Sequence, residues 1–243
     1  MSQRHRRILP AFLISWLYLA GAATKAAETH TVRLVGTAET GFLLTRDDQA
    51  YFVRGVGLTN GSMAQAARLG ANSVRTWGTD ELGKILDEAQ AQGLTVCAGF
   101  WLGHERHGFK YTDKQALQRQ ADELRKVVLQ YKDHPALLLW GIGNEMEGEG
   151  TNPEIWTAVN DLALMVKQLD PNHPTMTVIA ELGENGLKVK QLHKLCPSID
   201  IVGINSYGQG ATVTERYKAA GGTRPTIMTE FGPRGWWEST KTE

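Results

Sequence analysis

Cysteine is scarce. The 243 residues hold two, Cys97 and Cys196, too few for a disulfide framework or a cysteine zinc site. Cys97 lies inside an apolar run and reads as a core thiol. Neither sign of charge is in excess, because 26 basic residues balance 26 acidic ones. Composition therefore favours neither nucleic acid nor an anionic membrane surface as a partner. No phosphate-binding loop is evident: Gly55-Val56-Gly57 lacks the third glycine of a dinucleotide fingerprint. The chain also has no low-complexity stretch, no interdomain linker and no short-period repeat. A hydrophobic content of 42% and a charged content of 21% are ordinary for a globular protein. The length suits one large domain or two small ones.

The first residues have the pattern of a secretory signal. Arg4, Arg6 and Arg7 form a basic stretch, Ile8 to Ala23 is uncharged and mostly apolar, and small residues follow through Ala27. The run is shorter than the roughly 20 residues that span a bilayer, and Pro10 interrupts it early. Residues 1–27 are expected to be removed, leaving a slightly acidic protein that is secreted or periplasmic and not stably inserted in a membrane. An uncleaved anchor is the alternative.

After this segment, Thr31–Val35 and Gly41–Thr45 read as strands of a short hairpin within residues 28–50. A catalytic domain is expected over residues 51–243. Apolar strands are predicted to start near residues 51, 72, 94, 136, 175, 199 and 225. Between them lie helix-sized segments: 62–69, 80–92, 114–131, 153–169, 186–195 and 212–220. Ser62 suits a helix cap, Pro153 a first turn and Gly93 a helix stop. Repeated βα units close most naturally into a TIM-type (β/α)8 barrel of the α/β class. A doubly wound open sheet is the runner-up. Seven strands are counted, so an eighth βα unit is not visible in this chain.

Two of these strands end in acid. His134-Pro135-Ala136-Leu137-Leu138-Leu139-Trp140-Gly141-Ile142-Gly143 is an apolar run stopped by Asn144-Glu145, and Pro225-Thr226-Ile227-Met228-Thr229 runs into Glu230. Strands that are apolar on both faces are buried in parallel sheets, whose chemistry sits at the C-terminal tips. A helix cap is the competing reading of Asn144-Glu145. Strands four and seven of a barrel face each other across its mouth. Glu145 and Glu230 are therefore predicted to converge as a carboxylate pair, which is what cleavage of a glycosidic bond requires.

The stretches HPALLLWGIGNE, PTIMTEFG and NSVRTW resemble the retaining glycoside hydrolases of clan A, most closely the family 2 catalytic barrels and related β-glucan-active enzymes. The likeness covers about residues 51–232. It implies that Glu145 is the acid/base and Glu230 the nucleophile, with Asn144 binding the sugar 2-hydroxyl. Arg75 and Tyr207, placed after the second and sixth strands, would supply the cation and phenol that keep a nucleophilic carboxylate ionised. The family pattern is departed from in one respect: only a short hairpin, not a β-sandwich domain, precedes residue 51.

Further substrate contacts are expected from the loop after the third strand and from tryptophans. His104 and His107 open at the mouth, and His107-Gly108 is similar to a His-Gly pair in family 2 barrels. Two solvated loop histidines are the plain alternative. A metal site is the sharper one, but the spacing is not HExxH and no third ligand is near in sequence. No metal or cofactor is expected. Trp77, Trp101 and Trp236 are placed to stack on sugar rings, whereas Trp140 lies mid-strand and reads as core. The expected function is retaining hydrolysis of β-glycosidic bonds in an oligo- or polysaccharide. A β-glucan transglycosylase using the same residues, or a non-catalytic carbohydrate-binding protein, are the alternatives.

Overall fold

A computed structural model of the chain describes residues 30–58 and 61–235. The predicted signal segment and Trp236 lie outside the described residues. Strands β1 (Val32–Thr37), β2 (Gly41–Arg46) and β3 (Gln49–Ala50) form a small antiparallel sheet. The rest is a parallel sheet of seven strands: β4 (Gly55–Gly57), β5 (Ser73–Arg75), β6 (Thr95–Phe100), β7 (Leu137–Asn144), β8 (Thr175–Ala180), β9 (Ile201–Tyr207) and β10 (Thr226–Gly232). Their spatial order is their chain order. That is the topology of successive right-handed βα units, and it curls into a nearly closed TIM-type barrel.

The helices between the strands are α1 (Met63–Arg68), α2 (Leu82–Ala91), α3 (Lys114–Tyr131), α4 (Pro153–Leu169), α5 (Leu187–Leu195) and α6 (Val213–Ala219). Their starts follow local chemistry. The Ser62 hydroxyl caps α1, Asp113 accepts from two N–H groups at the start of α3, and Asn152 caps α4 just before Pro153. Strands β6 and β7 are buried at every position, as sheets covered on both faces require. On α4, Ile155, Trp156, Val159, Leu162, Ala163 and Val166 form the stripe that packs on β7 and β8.

A second apolar cluster closes the barrel floor. Val32, Leu34 and Leu44 of the hairpin meet Cys97, Leu138, Leu139, Met176 and Ile201. The hairpin is tied down at the N-terminal ends of the strands: Arg33 donates to the Pro171 carbonyl, Arg46 to the Pro135 carbonyl, and the Val32 N–H to the Asn172 carbonyl. One end of the ring is thus plugged, which leaves the C-terminal rim as the open mouth. The buried Trp140 donates its indole N–H to Asp170, in keeping with its reading as core.

Two details differ from the sequence reading. The strand expected over 51–56 is reduced to Gly55–Gly57. The Asn72 amide takes the ladder's place, accepting from the Arg54 N–H and donating to the Phe52 carbonyl, while the Tyr51 hydroxyl bonds the Asn72 carbonyl. The helix expected to begin at Gly186 begins at Leu187, because Gly186 takes a left-handed conformation. As the strand count implied, β4 and β10 stay unjoined, and a cavity of about 850 Å³ runs between them into the ring. Phe52 and Phe231 stand exposed beside it, at 79% and 73%. No helix among the described residues is long and apolar enough to cross a membrane.

Candidate active site

Glu230 sits near the tip of β10 and takes three side-chain donors. Arg75, at the tip of β5, donates a guanidinium N–H to its Oε1 at 2.9 Å. The Trp77 indole N–H reaches the same oxygen at 2.9 Å, and the Tyr207 hydroxyl reaches Oε2 at 2.8 Å. The ends of two strands, β5 and β9, therefore supply this one carboxylate. Burial pushes its pKa up. The donors Trp77, Arg75 and Tyr207, together with the Arg75 charge, outweigh that and hold the carboxyl below the ordinary glutamate range. Arg75 is itself buried and lies 5.0 Å from the centre of the Trp77 ring, a cation–π distance.

The second guanidinium nitrogen of Arg75 crosses to β7 and donates to Asn144 Oδ1 at 2.6 Å. Asn144 is the last residue of that strand, so the helix-cap reading does not hold. Its amide oxygen is committed to Arg75, which leaves the Nδ2 hydrogens for a ligand in the mouth.

Glu145 follows with a left-handed φ of 51°, uncommon for a residue with a Cβ. Its N–H donates to the Val178 carbonyl on β8, and its Oε1 accepts from Asn205 Nδ2 at 2.7 Å. The Thr229 hydroxyl, next to Glu230 in sequence, donates to Asn205 Oδ1 at 2.6 Å, with the Nδ2 end of that amide turned to Glu145. One polar network thus runs from Glu230 through Arg75, Asn144 and Asn205 to Glu145. Glu145 and Glu230 both stand at the C-terminal ends of barrel strands. Their surroundings differ: among the described residues, three donors, one of them the Arg75 cation, meet Glu230, and a single amide meets Glu145.

The remaining predicted residues fall differently. Trp77 is half-buried with its N–H turned to Glu230, so its polar edge as well as its ring face is in use. Trp101 is 44% exposed and stacks on His104 at 4.7 Å between ring centres; His104 in turn stacks on His107 at 5.3 Å. His104 is buried, so it is not a solvated loop side chain. Burial, then the nearby Arg106 and His107, pull its pKa down to about 4 against a backbone contact with Asn144 that pulls it up. The ring is neutral at physiological pH. His107 is exposed. No cluster of three metal-ligating side chains forms among the described residues.

Sequence reasoning missed Asn205. The signal was present, since the largely apolar run from Ile199 ends in the polar Asn205-Ser206-Tyr207.

A parallel βα barrel with a polar network of carboxylates, amides and a buried arginine at its C-terminal rim has the architecture of the barrel glycosidases. Residues 70–235 match the family model described as "Glycosyl hydrolases family 2, TIM barrel domain". The match covers more than half of the chain, and the protein belongs to that family. Among curated proteins, a β-glucuronidase of Bacteroides fragilis is 25% identical over 201 residues, covering 72% of this chain and 27% of that protein. A probable mannan endo-1,4-β-mannosidase C of Aspergillus terreus is 29% identical over 151 residues, covering 49% of this chain and 36% of the relative. The chain thus spans between about a quarter and about a third of the length of these relatives. Among solved structures, the β-D-glucuronidase of Dictyoglomus thermophilum aligns with a TM-score of 0.61 at 18% identity, over 83% of this chain and 39% of that one. The β-mannanase of the blue mussel Mytilus edulis aligns with a TM-score of 0.56 at 18% identity, over 73% of this chain and 75% of that one. These structural likenesses concern the fold.

Proposed function

We propose that the protein hydrolyses β-glycosidic bonds of an oligo- or polysaccharide with retention of configuration, with Glu230 as nucleophile and Glu145 as acid/base. The observation that carries this reading is the unequal treatment of the two carboxylates. A nucleophile must stay ionised, and Glu230 is held so by Arg75, Trp77 and Tyr207. An acid/base must gain and lose a proton, and Glu145 faces one amide donor and no cation within ion-pair distance among the described residues.

In the first step a Glu230 oxygen attacks the anomeric carbon and the glycosidic C–O bond breaks. Glu145 gives its proton to the departing oxygen. In the second step water attacks the same carbon, Glu145 takes a water proton, and the bond to Glu230 is released. Asn144 Nδ2 is placed to donate to a hydroxyl of the bound sugar. Trp101 offers an exposed ring face beside the mouth. The Arg4–Ala27 leader pattern supports action outside the cytoplasm.

A 2-deoxy-2-fluoro β-glycoside with a dinitrophenolate leaving group tests the assignment. A panel of glucoside, mannoside and glucuronide covers the sugars named by the relatives. Stoichiometric release of dinitrophenolate, with the sugar recovered on the peptide carrying Glu230, is the expected outcome. A label on another residue, or turnover of ordinary glycosides with no labelling, would overturn it. Binding of a glucan with neither turnover nor labelling would point to a carbohydrate-binding protein instead.

A further inference from the structure

Two non-glycine residues with left-handed backbones stand on neighbouring strand ends: Glu145 after β7, with φ 51°, and Glu181 after β8, with φ 53°. Such conformations are strained for a residue with a Cβ and persist where surrounding contacts enforce them. A buried ion pair lies between the same two chain segments. Glu147, two residues past Glu145, meets Lys188 from the first turn of α5 at 2.9 Å, and both side chains are more than nine-tenths buried.

The pair does more than neutralise itself. Glu147 Oε1 also accepts the Ala180 N–H at 3.0 Å, and Lys188 Nζ donates to the Ala180 carbonyl at 2.6 Å. Both backbone groups of the last residue of β8 are therefore bound by side chains that reach in from the post-β7 turn and from α5. The lysine stem needs room on both sides. A Cβ built on Gly150 or on Gly183 would sit 2.8 Å from Lys188 Cγ, so each loop keeps a glycine against it. The arrangement is not optimised for stability alone. Glu147 Oε2 has no hydrogen-bond partner among the described residues, and buried pairs of this kind are often no more stabilising than apolar replacements.

We propose that Lys188 and Glu147 are positioning residues for the acid/base: their ion pair clamps the turn after β7 onto the end of β8 and thereby fixes the direction of the Glu145 carboxyl. The proposal rests on Glu145 being the acid/base. Proton delivery to a leaving oxygen depends steeply on direction and distance. Attack by Glu230, held from β5 and β9 and by Trp77, does not depend on this clamp.

The test is the double variant Glu147→Gln/Lys188→Met, which removes both charges at nearly constant volume. With an unactivated disaccharide or methyl β-glycoside, kcat/KM should fall at least tenfold, mainly through kcat. With a dinitrophenyl β-glycoside, whose leaving group needs no proton, kcat/KM should stay within about twofold. The Glu147→Asp variant keeps the charge but withdraws it by one methylene, and should show the same selective loss; it serves if the double variant does not fold. Equal loss on both substrates, or no loss on either, would overturn the clamp. Glu145→Gln is measured in parallel. If it shows the leaving-group dependence and the clamp variants do not, the clamp alone fails. If Glu145→Gln shows none, the acid/base reading fails and the clamp with it.

Discussion

Asn205 donates its side-chain N–H to Glu145 at 2.7 Å, while its oxygen accepts the Thr229 hydroxyl. An amide so oriented can serve Glu145 in either protonation state, because the Glu145 oxygen it touches only accepts. The opposite oxygen is left to hold or release the proton. Asn205→Ala should lower kcat/KM for unactivated β-glycosides by about 10–100-fold, the equivalent of one hydrogen bond to a group that carries charge during the cycle. Thr229→Val, which frees the amide to turn, should give a smaller loss in the same direction. Steady-state kinetics on a disaccharide and a dinitrophenyl glycoside check both; a loss confined to the activated substrate would contradict the assignment.

The lowered pKa of Glu230 fixes the sign of two pH effects. In activity, the acid limb of kcat/KM should lie below the range of an ordinary glutamate, because Trp77, Arg75 and Tyr207 hold the carboxylate ionised against the upward push of burial. Tyr207→Phe removes one of the donors and should move that limb to higher pH. In stability, a carboxyl with a depressed folded pKa contributes fully above its unfolded value of about 4.3, and the contribution is lost as pH falls through the folded pKa. Denaturant titrations between pH 6 and pH 3 should show wild type and Tyr207→Phe converging as the pH falls.

His104 should not titrate in the physiological range. Burial, followed by Arg106 and His107, lowers its pKa to about 4, whereas the unfolded ring takes a proton near 6.5. Between those values the unfolded chain binds the proton and the folded chain does not. This residue therefore makes the protein lose stability as pH drops from about 6.5 toward 4. The His104 ring resonances should stay flat from pH 8 to pH 5 in an NMR titration. Replacement by Phe, which keeps the stack on Trp101, should reduce the pH dependence of unfolding in that window.

How much of this could be read from the chain follows from how local each signal is. The apolar runs stopped by Asn144-Glu145 and by Glu230 revealed strands and tips together, since two-sided burial and a polar rim both leave marks along a single strand. Arg75 and Tyr207 came from the family resemblance, not from the strand pattern itself. The Trp77 edge was not legible, because a sequence shows a flat apolar ring but not which side of it the fold turns inward. His104 reads in sequence as a sugar contact or a solvated loop side chain, and only the fold shows it buried between Trp101 and His107. Glu147 and Lys188 look like ordinary surface charges in sequence, and only the packing of α5 against two rim loops buries them. The strand expected from Tyr51 was shortened by a side chain 18 or more residues away, Asn72, which no periodicity encodes.

Gly57 gives a handle on Trp77 without touching any polar group. A Cβ at Gly57 would lie 2.5 Å from Trp77 Cη2 and little more than 3 Å from two further ring atoms. The indole cannot simply lean away, because its N–H is bonded to Glu230 and its face lies against Arg75. Gly57→Ala should therefore push the ring off Glu230 and cost about tenfold or more in kcat/KM, with the acid limb moving to higher pH as the carboxylate loses a donor. Trp77→Phe removes the same N–H while keeping most of the ring. If Gly57 acts through Trp77, the two changes must be strongly non-additive, and the double variant should be little worse than the poorer single one. Full additivity would mean that the alanine disturbs β4 itself, and that Gly57 serves the strand and not Glu230.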